Sequence, residues 1–313
     1  MSITYRPWAE GDEVAAGAAL GEPESARIAL DRPSFGLPSA EAWRHTLVAE
    51  ENGAFLGAAV VLEGVLHPGR LWLYVEVSPD HRRRGVGTEL VERIREVPAP
   101  SGVRAVRARF ASGSSAAEGF AAALGLEPIH RSRQVLVRPG ALDLPALEAT
   151  GPALEDLATG SVELTKLVVV FYDATHASWD PSEMTLGRAQ DLLLAPATGA
   201  RGAIVLRDRP KASGGVILAF AVSYDPPGLD PDDPDSVPVA DDAPTQVLLG
   251  YDPTLTDDRA RAAVRQLLAM LAARYPVQVE VDDAMTPLAG VVDDLLVLGS
   301  AEVVTETRFV ASD

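Results

Sequence analysis

The sequence predicts an α/β fold of the α+β mixed-sheet kind, built as two tandem domains, each a twisted mixed β-sheet flanked by helices. Three observations carry this reading. Leu71 to Val77 is a short run rich in β-branched and aromatic residues, closed by Ser78-Pro79-Asp80, and from Gly85 the apolar residues recur at helical spacing as Val86, Leu90, Val91, Ile94 and Val97. Strand-like and helix-like segments alternate along the chain, which suits a central sheet with helices on both faces. The pattern also repeats. Val77-Ser78-Pro79 lies beside Tyr251-Asp252-Pro253 at a shift of 251 − 77 = 174, and the same shift carries Val103 onto Val277, Leu124-Gly125 onto Leu298-Gly299, and Val135-Leu136 onto Phe309-Val310.

The elements of the first domain follow in order. A strand is expected at Ile3 to Arg6, then two helices before Arg44, strands near Thr46 to Ala49 and Phe55 to Leu62, the Leu71 strand and the Gly85 helix. A strand at Val103 to Arg109, a helix at Ala116 to Leu124 and a closing strand at Arg133 to Val137 complete it. Pro139-Gly140 breaks the pattern and reads as a linker, so the domains are placed at residues 1–138 and 139–313. The second domain opens with helices through Leu194 and repeats the sheet to Val310, with Ile217 to Tyr224 resembling Phe55 to Leu62.

Composition narrows the function. The 313 residues are 47% hydrophobic and 5% aromatic, suited to a soluble globular protein with an aliphatic core. No apolar run approaches a membrane span, and MSITYRPWAEGDE lacks the features of a secretion signal, so a cytoplasmic location is expected. There are no cysteines, which excludes disulfides and thiolate chemistry, and no His/acid spacing suggests a metal site. The net charge of −18 repels nucleic acid and anionic membranes and favours a cationic small-molecule partner. Asp225 to Asp242 holds seven aspartates and five prolines with no basic residue, and is expected to be a solvated loop.

The turn after the Leu71 strand reads as a phosphate-binding site. Glycine lacks a Cβ, so Gly85 and Gly87 let backbone N–H groups of a new helix approach an anion, the helix adds its positive dipole end, and Arg82, Arg83 and Arg84 add charge. The sequence Arg82-Arg83-Arg84-Gly85-Val86-Gly87-Thr88 resembles the Arg/Gln-x-x-Gly-x-Gly/Ala motif of the GNAT superfamily of N-acetyltransferases. The resemblance implies that this loop holds the pyrophosphate of acetyl-CoA, with the backbone of Val75 and Val77 against the pantetheine arm and thioester and Ser114 at the position of a common family asparagine. It implies an acetyl-CoA-dependent N-acetyltransferase acting on a primary amine, a small cationic molecule, with a homodimer as an open possibility. A non-enzymatic acyl-CoA-binding or sensing protein is the alternative.

In the second copy the 174 shift replaces Arg82 by Thr256, Arg84 by Asp258, Gly85 by Arg259 and Gly87 by Arg261. Carboxylates and Cβ atoms would then occupy the phosphate cradle, so cofactor is expected in the first copy alone. The apolar helix face survives as Val264, Leu267, Leu268 and Leu271. The second domain is expected either to support the fold or to build one wall of the acceptor pocket, and on the latter reading a first domain cut near Pro139 keeps its anion site but loses the reaction.

The chemistry beyond the cofactor loop is less regular. Leu71 and Leu73 share the strand face of Val75 and Val77 and cannot titrate, while Tyr74 and Glu76 point the other way, with Glu76 read as hydrogen-bonded structure. The family's acid tyrosine corresponds to Ala121. Among the histidines, His130, near the closing strands, is the catalytic candidate. His81 sits beside the arginine loop, His67 in a turn and His45 at a helix end, and His176 in a polar stretch with Trp179.

Overall fold

A computed structural model describes residues 3–39, 43–145, 151–225 and 243–312. Of the acidic segment Asp225 to Asp242, all but Asp225 lies outside the described residues. The contacts divide the chain into two compact units. The first holds Met1–His130, Trp179–Glu183 and Thr307–Asp313, and the second holds Arg131–Ser178 and Met184–Glu306.

In the first unit the order is β1 (Thr4–Pro7), α1 (Asp12–Leu20), α2 (Ala26–Asp31), β2 (Arg44–Glu51), β3 (Ala54–Glu63), β4 (Leu71–Val77), α3 (Val86–Arg95), β5 (Val106–Ala111) and α4 (Ser115–Ala123), followed by β6 (Glu127–Val137). Strands β1 to β4 form an antiparallel meander, and β4 then pairs parallel with β5. One core lies on the face covered by α3 and α4. There Leu71 and Leu73 of β4 meet Val86, Leu90, Val91 and Ile94, a stripe at helical spacing in which each residue is almost fully enclosed. At roughly 1.5–3 kcal/mol for each buried side chain, this stripe is what seats the helix on the sheet. A second core on the opposite face joins α1 to Trp8, Phe35, Phe55 and Tyr74. His45, expected at a helix end, is instead in β2 opposite Val61, because the run Arg44 to Glu51 pairs with β3 along its length.

The second unit contains β7 (Ala153–Leu157), α5 (Val162–His176), α6 (Leu186–Ala189), β8 (Ala200–Arg207), β9 (Ile217–Tyr224), β10 (Thr245–Tyr251), α7 (Asp257–Leu271), β11 (Val277–Asp282) and α8 (Thr286–Val297), followed by β12 (Ala301–Ala311). Its sheet repeats the first: β7, β8, β9 and β10 are antiparallel neighbours, and β10 pairs parallel with β11. The 174-residue shift maps β4 onto β10 and β6 onto β12 end for end. Strand β7, ahead of the helices, is an element the sequence pattern does not announce.

The closing strands depart from a simple tandem arrangement. In the first unit β5 is closed by the C-terminal part of β12, Thr307 to Ala311 against Ala111 to Arg107. In the second unit β11 is closed by Ser132 to Val137 of β6. Two strands of equivalent sequence are thus exchanged. Pro139-Gly140, expected as a linker, is a turn of the second unit, where Gly140 N donates to Ala272 O at 2.8 Å and Arg138 N to Ser300 O at 3.0 Å.

The second unit also buries an arginine. Arg207 of β8 is 1% exposed and is satisfied by Glu155, by both carboxylate oxygens of Glu163 at 2.7 and 2.8 Å, and by Gly215 O. The guanidinium holds the Glu163 carboxyl down at about 2, against an ordinary 4.5. A depressed carboxylate stabilises the fold above its unfolded value and loses that contribution as pH falls toward its folded value. The melting temperature should therefore drop between about pH 4.5 and 2, and Glu163→Gln should flatten that segment of a pH–Tm curve measured by circular dichroism. The strand exchange makes a second expectation: residues 1–138 alone, lacking Thr307 to Ala311, leave β5 with an open edge. This fragment should melt well below the full chain or fail to fold cooperatively, and adding residues 301–313 as a separate peptide should raise its melting temperature.

Candidate functional site

Strand β4 is bonded to β3 along its whole length, Gly57 opposite Val77 through Glu63 opposite Leu71, but its parallel pairing with β5 extends only over Leu71–Val106 and Trp72–Arg107. Beyond Trp72 the strands part. The free edge of Leu73 to Val77 and the facing edge of Ala108 to Ala111 then wall a cavity of about 660 Å³. It continues past His81 and Arg82 to Thr88 at the start of α3, and α4 contributes Phe120 and Ala121. Every one of these residues belongs to the first unit.

The two glycines of the loop have different reasons to be glycine. Gly85 caps α3 with φ +81°, and a Cβ there would meet open space, so backbone conformation is what excludes other residues. Gly87 faces Phe120, whose ring carbons would lie 3.2 and 3.3 Å from an added Cβ, so its reason is packing of α3 against α4. Arg83 also takes a left-handed φ of 64°. Left-handed residues beside a helix start turn backbone N–H groups into a concave anion nest, and no side chain caps the first turn of α3.

The expected site residues divide as follows. Val75, Val77, Arg82, Arg83, Gly85, Val86, Gly87, Thr88 and Ser114 line the cavity, with Ser114 Oγ capping α4 through Ala117 N at 3.3 Å. Arg82 donates to Val77 O at 3.1 Å and pairs with Glu24 at 2.9 Å. Arg84 does not line the cavity and turns to Glu51 at 3.3 Å. His130 is also outside the lining, its ring stacked on Trp179 at 3.9 Å with Phe309 beside it. His81 does line it, and its buried Nδ1 has no protein hydrogen-bond partner among the described residues. His176 ends α5, stacked on Tyr172.

Residues distant in sequence complete the polar face. Tyr74 Oη donates to Glu76 at 2.7 Å, and Arg32 grips Glu76 with bonds of 2.7 and 3.0 Å, so Glu76 is the hydrogen-bonded structural carboxylate its position suggested. Burial, then the Glu76 carboxylate, push the Tyr74 hydroxyl well above its usual range. Asp31, at the end of α2, pairs with Arg109 of β5, whose guanidinium lies 4.7 Å over the Trp72 ring. Arg107 stacks on the same ring and binds Asp180, a carboxylate 1% exposed that also faces Arg70 and His67 at 3.4 Å each. Burial, and next the Arg107 charge, lower the His67 pKa. Asp31, Arg109 and Asp180 carry no local signal, since their partners lie 78 and 73 positions away.

In the second unit the matching helix start carries Asp257 and Asp258 in its first turn, and Arg261 is tied to Asp294 at 2.7 Å and Gly290 O at 3.0 Å. Among the described residues no helix is long and apolar enough to cross a membrane, and no group of three His, Asp or Glu is arranged to hold a metal ion.

The first unit thus has a strand pair that parts beside a glycine loop at a helix start, an open sheet edge leading to a backbone nest suited to an anion. Residues 14–126 match the model of the acetyltransferase (GNAT) family, and the chain as a whole has the fold of tandem GNAT proteins. Its fold is similar to that of a tandem GNAT protein from the clavulanic acid biosynthesis pathway (17% identity, TM-score 0.58, covering 99% of this chain and 98% of that one). It is equally similar to a GCN5-related N-acetyltransferase from Sphaerobacter thermophilus (17%, 0.58, 99% and 95%), and less so to one from Kribbella flavida (15%, 0.51, 99% and 70%). No curated protein sequence matches it. Members of the family generally use acetyl-CoA.

The loop geometry makes a direct expectation. Gly85→Val forces a β-branched side chain to φ +81° and should cost on the order of 1–2 kcal/mol of folding free energy. Urea unfolding would measure it, and a neutral substitution would show that the loop relaxes out of the nest.

Proposed function

We propose that this chain transfers the acetyl group of acetyl-CoA to a primary amine of a small cationic molecule, within the cavity of the first unit. The observation that carries the reading is the continuity of that cavity from the glycine loop to the parted strands. The residues suit the cofactor on three counts: an open nest at Gly85, the basic Arg82 and Arg83, and the buried, unpartnered Nδ1 of His81. Arg82 to Thr88 would hold the pyrophosphate, with Ser114 nearby. The free edge of Val75 and Val77 would pair with the pantetheine arm.

When bound, acetyl-CoA supplies an activated thioester. Backbone N–H groups on the β4 edge, beyond its pairing with β5, would polarise a carbonyl placed between the strands. In the balanced reaction the acceptor ammonium gives one proton to water, its nitrogen forms the new C–N bond, the C–S bond breaks with its electron pair on sulfur, and the second amine proton ends on the thiol. Ala121, at the usual tyrosine position, is buried and has no proton to give, and Glu76 is occupied by Arg32 and Tyr74. On this reading water carries the protons. His130, outside the cavity lining and stacked on Trp179, enters the proposal as an outer group whose replacement changes rate without abolishing it.

Titration calorimetry should find one acetyl-CoA per chain. Arg82→Glu should weaken it roughly tenfold to a hundredfold, the loss of a charge-assisted hydrogen bond. Thiol release over a panel of amines separates transferase from sensor: binding without release under any acceptor would favour a non-enzymatic acyl-CoA-binding protein.

A further inference from the structure

The polar face of the cavity offers its acceptor more than a negative charge. Asp31 and Arg109 both line it, the carboxylate side chain 3% and the guanidinium 25% exposed, and they bond to each other. The neighbouring pair is built differently. Glu76 is fixed from two sides by Arg32 and Tyr74, and Arg32 is further anchored on Gly21 O at 2.6 Å without reaching the cavity. Among the described residues the Asp31 carboxylate accepts hydrogen bonds from Arg109 alone. The position of Arg109 does not depend on that bond, because its guanidinium also rests on the face of Trp72.

An acceptor with only an ammonium group fits this pair poorly. Binding at Asp31, it either displaces Arg109 and leaves a half-buried guanidinium unpaired, or shares the carboxylate with a second positive charge at close range. A molecule with an ammonium and a carboxylate on neighbouring atoms replaces both halves at once. Its ammonium meets Asp31, and its carboxylate meets the fork of Arg109, whose planar donors suit a carboxylate bidentately. We propose that the acceptor is an amino-acid-type zwitterion, read through the exchangeable Asp31–Arg109 pair at the cavity wall. This deepens the transferase reading, on which it rests for taking this cavity as the acceptor's.

Calorimetric binding to the full-length protein saturated with coenzyme A tests it without turnover, using matched pairs of common α-amino acids and the amines made by their decarboxylation. At least one amino acid should bind roughly tenfold or more tightly than its amine. Arg109→Gln should bring such a pair to within about twofold, a charge-assisted bond being lost from the amino acid only. Asp31→Asn should weaken amine and amino acid together, and circular dichroism melting would show that both variants are folded. Amines that bind as tightly as their amino acids, a preference that survives Arg109→Gln, or no binding by either class would each overturn the proposal. Acetyl transfer measured in parallel keeps the two readings apart. Amines acetylated without regard to a carboxylate leave the transferase standing and this inference refuted, whereas selective binding without transfer does the reverse.

Discussion

The site depends on the early end of the pairing between β4 and β5. Two residue pairs hold the strands together, and the edge groups beyond them must find partners elsewhere, since a buried backbone amide without a hydrogen bond is expensive. That demand makes the gap a place for an extended ligand that completes the sheet, and everything else in the first unit serves it. The apolar stripe of α3 fixes the helix against β4 so that its first turn opens at the end of the gap, and Phe120 against Gly87 holds α4 close by. The cradle and the strand edge become one surface because the same core sets both.

Electrostatics in the first unit follow a consistent rule. A chain of formal charge −18 presents two of its cavity-lining arginines already paired, Arg82 with Glu24 and Arg109 with Asp31. Partnered cations of this kind cost little to keep near an apolar cleft and can trade their carboxylates for those of a ligand. Deeper in the unit, Asp180 serves a different end. Enclosed by Arg107, Arg70 and His67, it pins the segment Trp179–Glu183 to the first unit, and with it the ring that stacks on His130.

Much of this was readable in the sequence because it is local. The run Leu71 to Val77, the glycine loop and the stripe of α3 sit within thirty residues and obey simple periodicities, and the shift of 174 found β10 from β4 without error. What the pattern missed is non-local. Val135-Leu136 and Phe309-Val310 are interchangeable as closing strands, so nothing in either run says which sheet it closes. The pairs Asp31–Arg109 and Asp180–Arg107 join positions with no periodic relation, and Trp179 gives no sign that it packs with the first unit. His45 escapes the local pattern for a related reason: a polar residue in a meander strand resembles a helix end when its neighbours across the sheet are unknown.

The exchanged strands also set the order in which the protein can be made. Arg308 and Ser112, bonded at 3.3 Å, are 196 residues apart, so the last edge of the first sheet cannot form until all the intervening residues have been made. A chain emerging N-terminus first holds the glycine loop and β5 long before their closing strand exists, and with them an unfilled β-edge of the kind that invites mispairing. Closing so long a loop adds little to the entropy cost, which grows only with the logarithm of its length, but it places the step late in folding. Until Thr307 to Ala311 have been made, β5 and the parted strands beside it lack their frame.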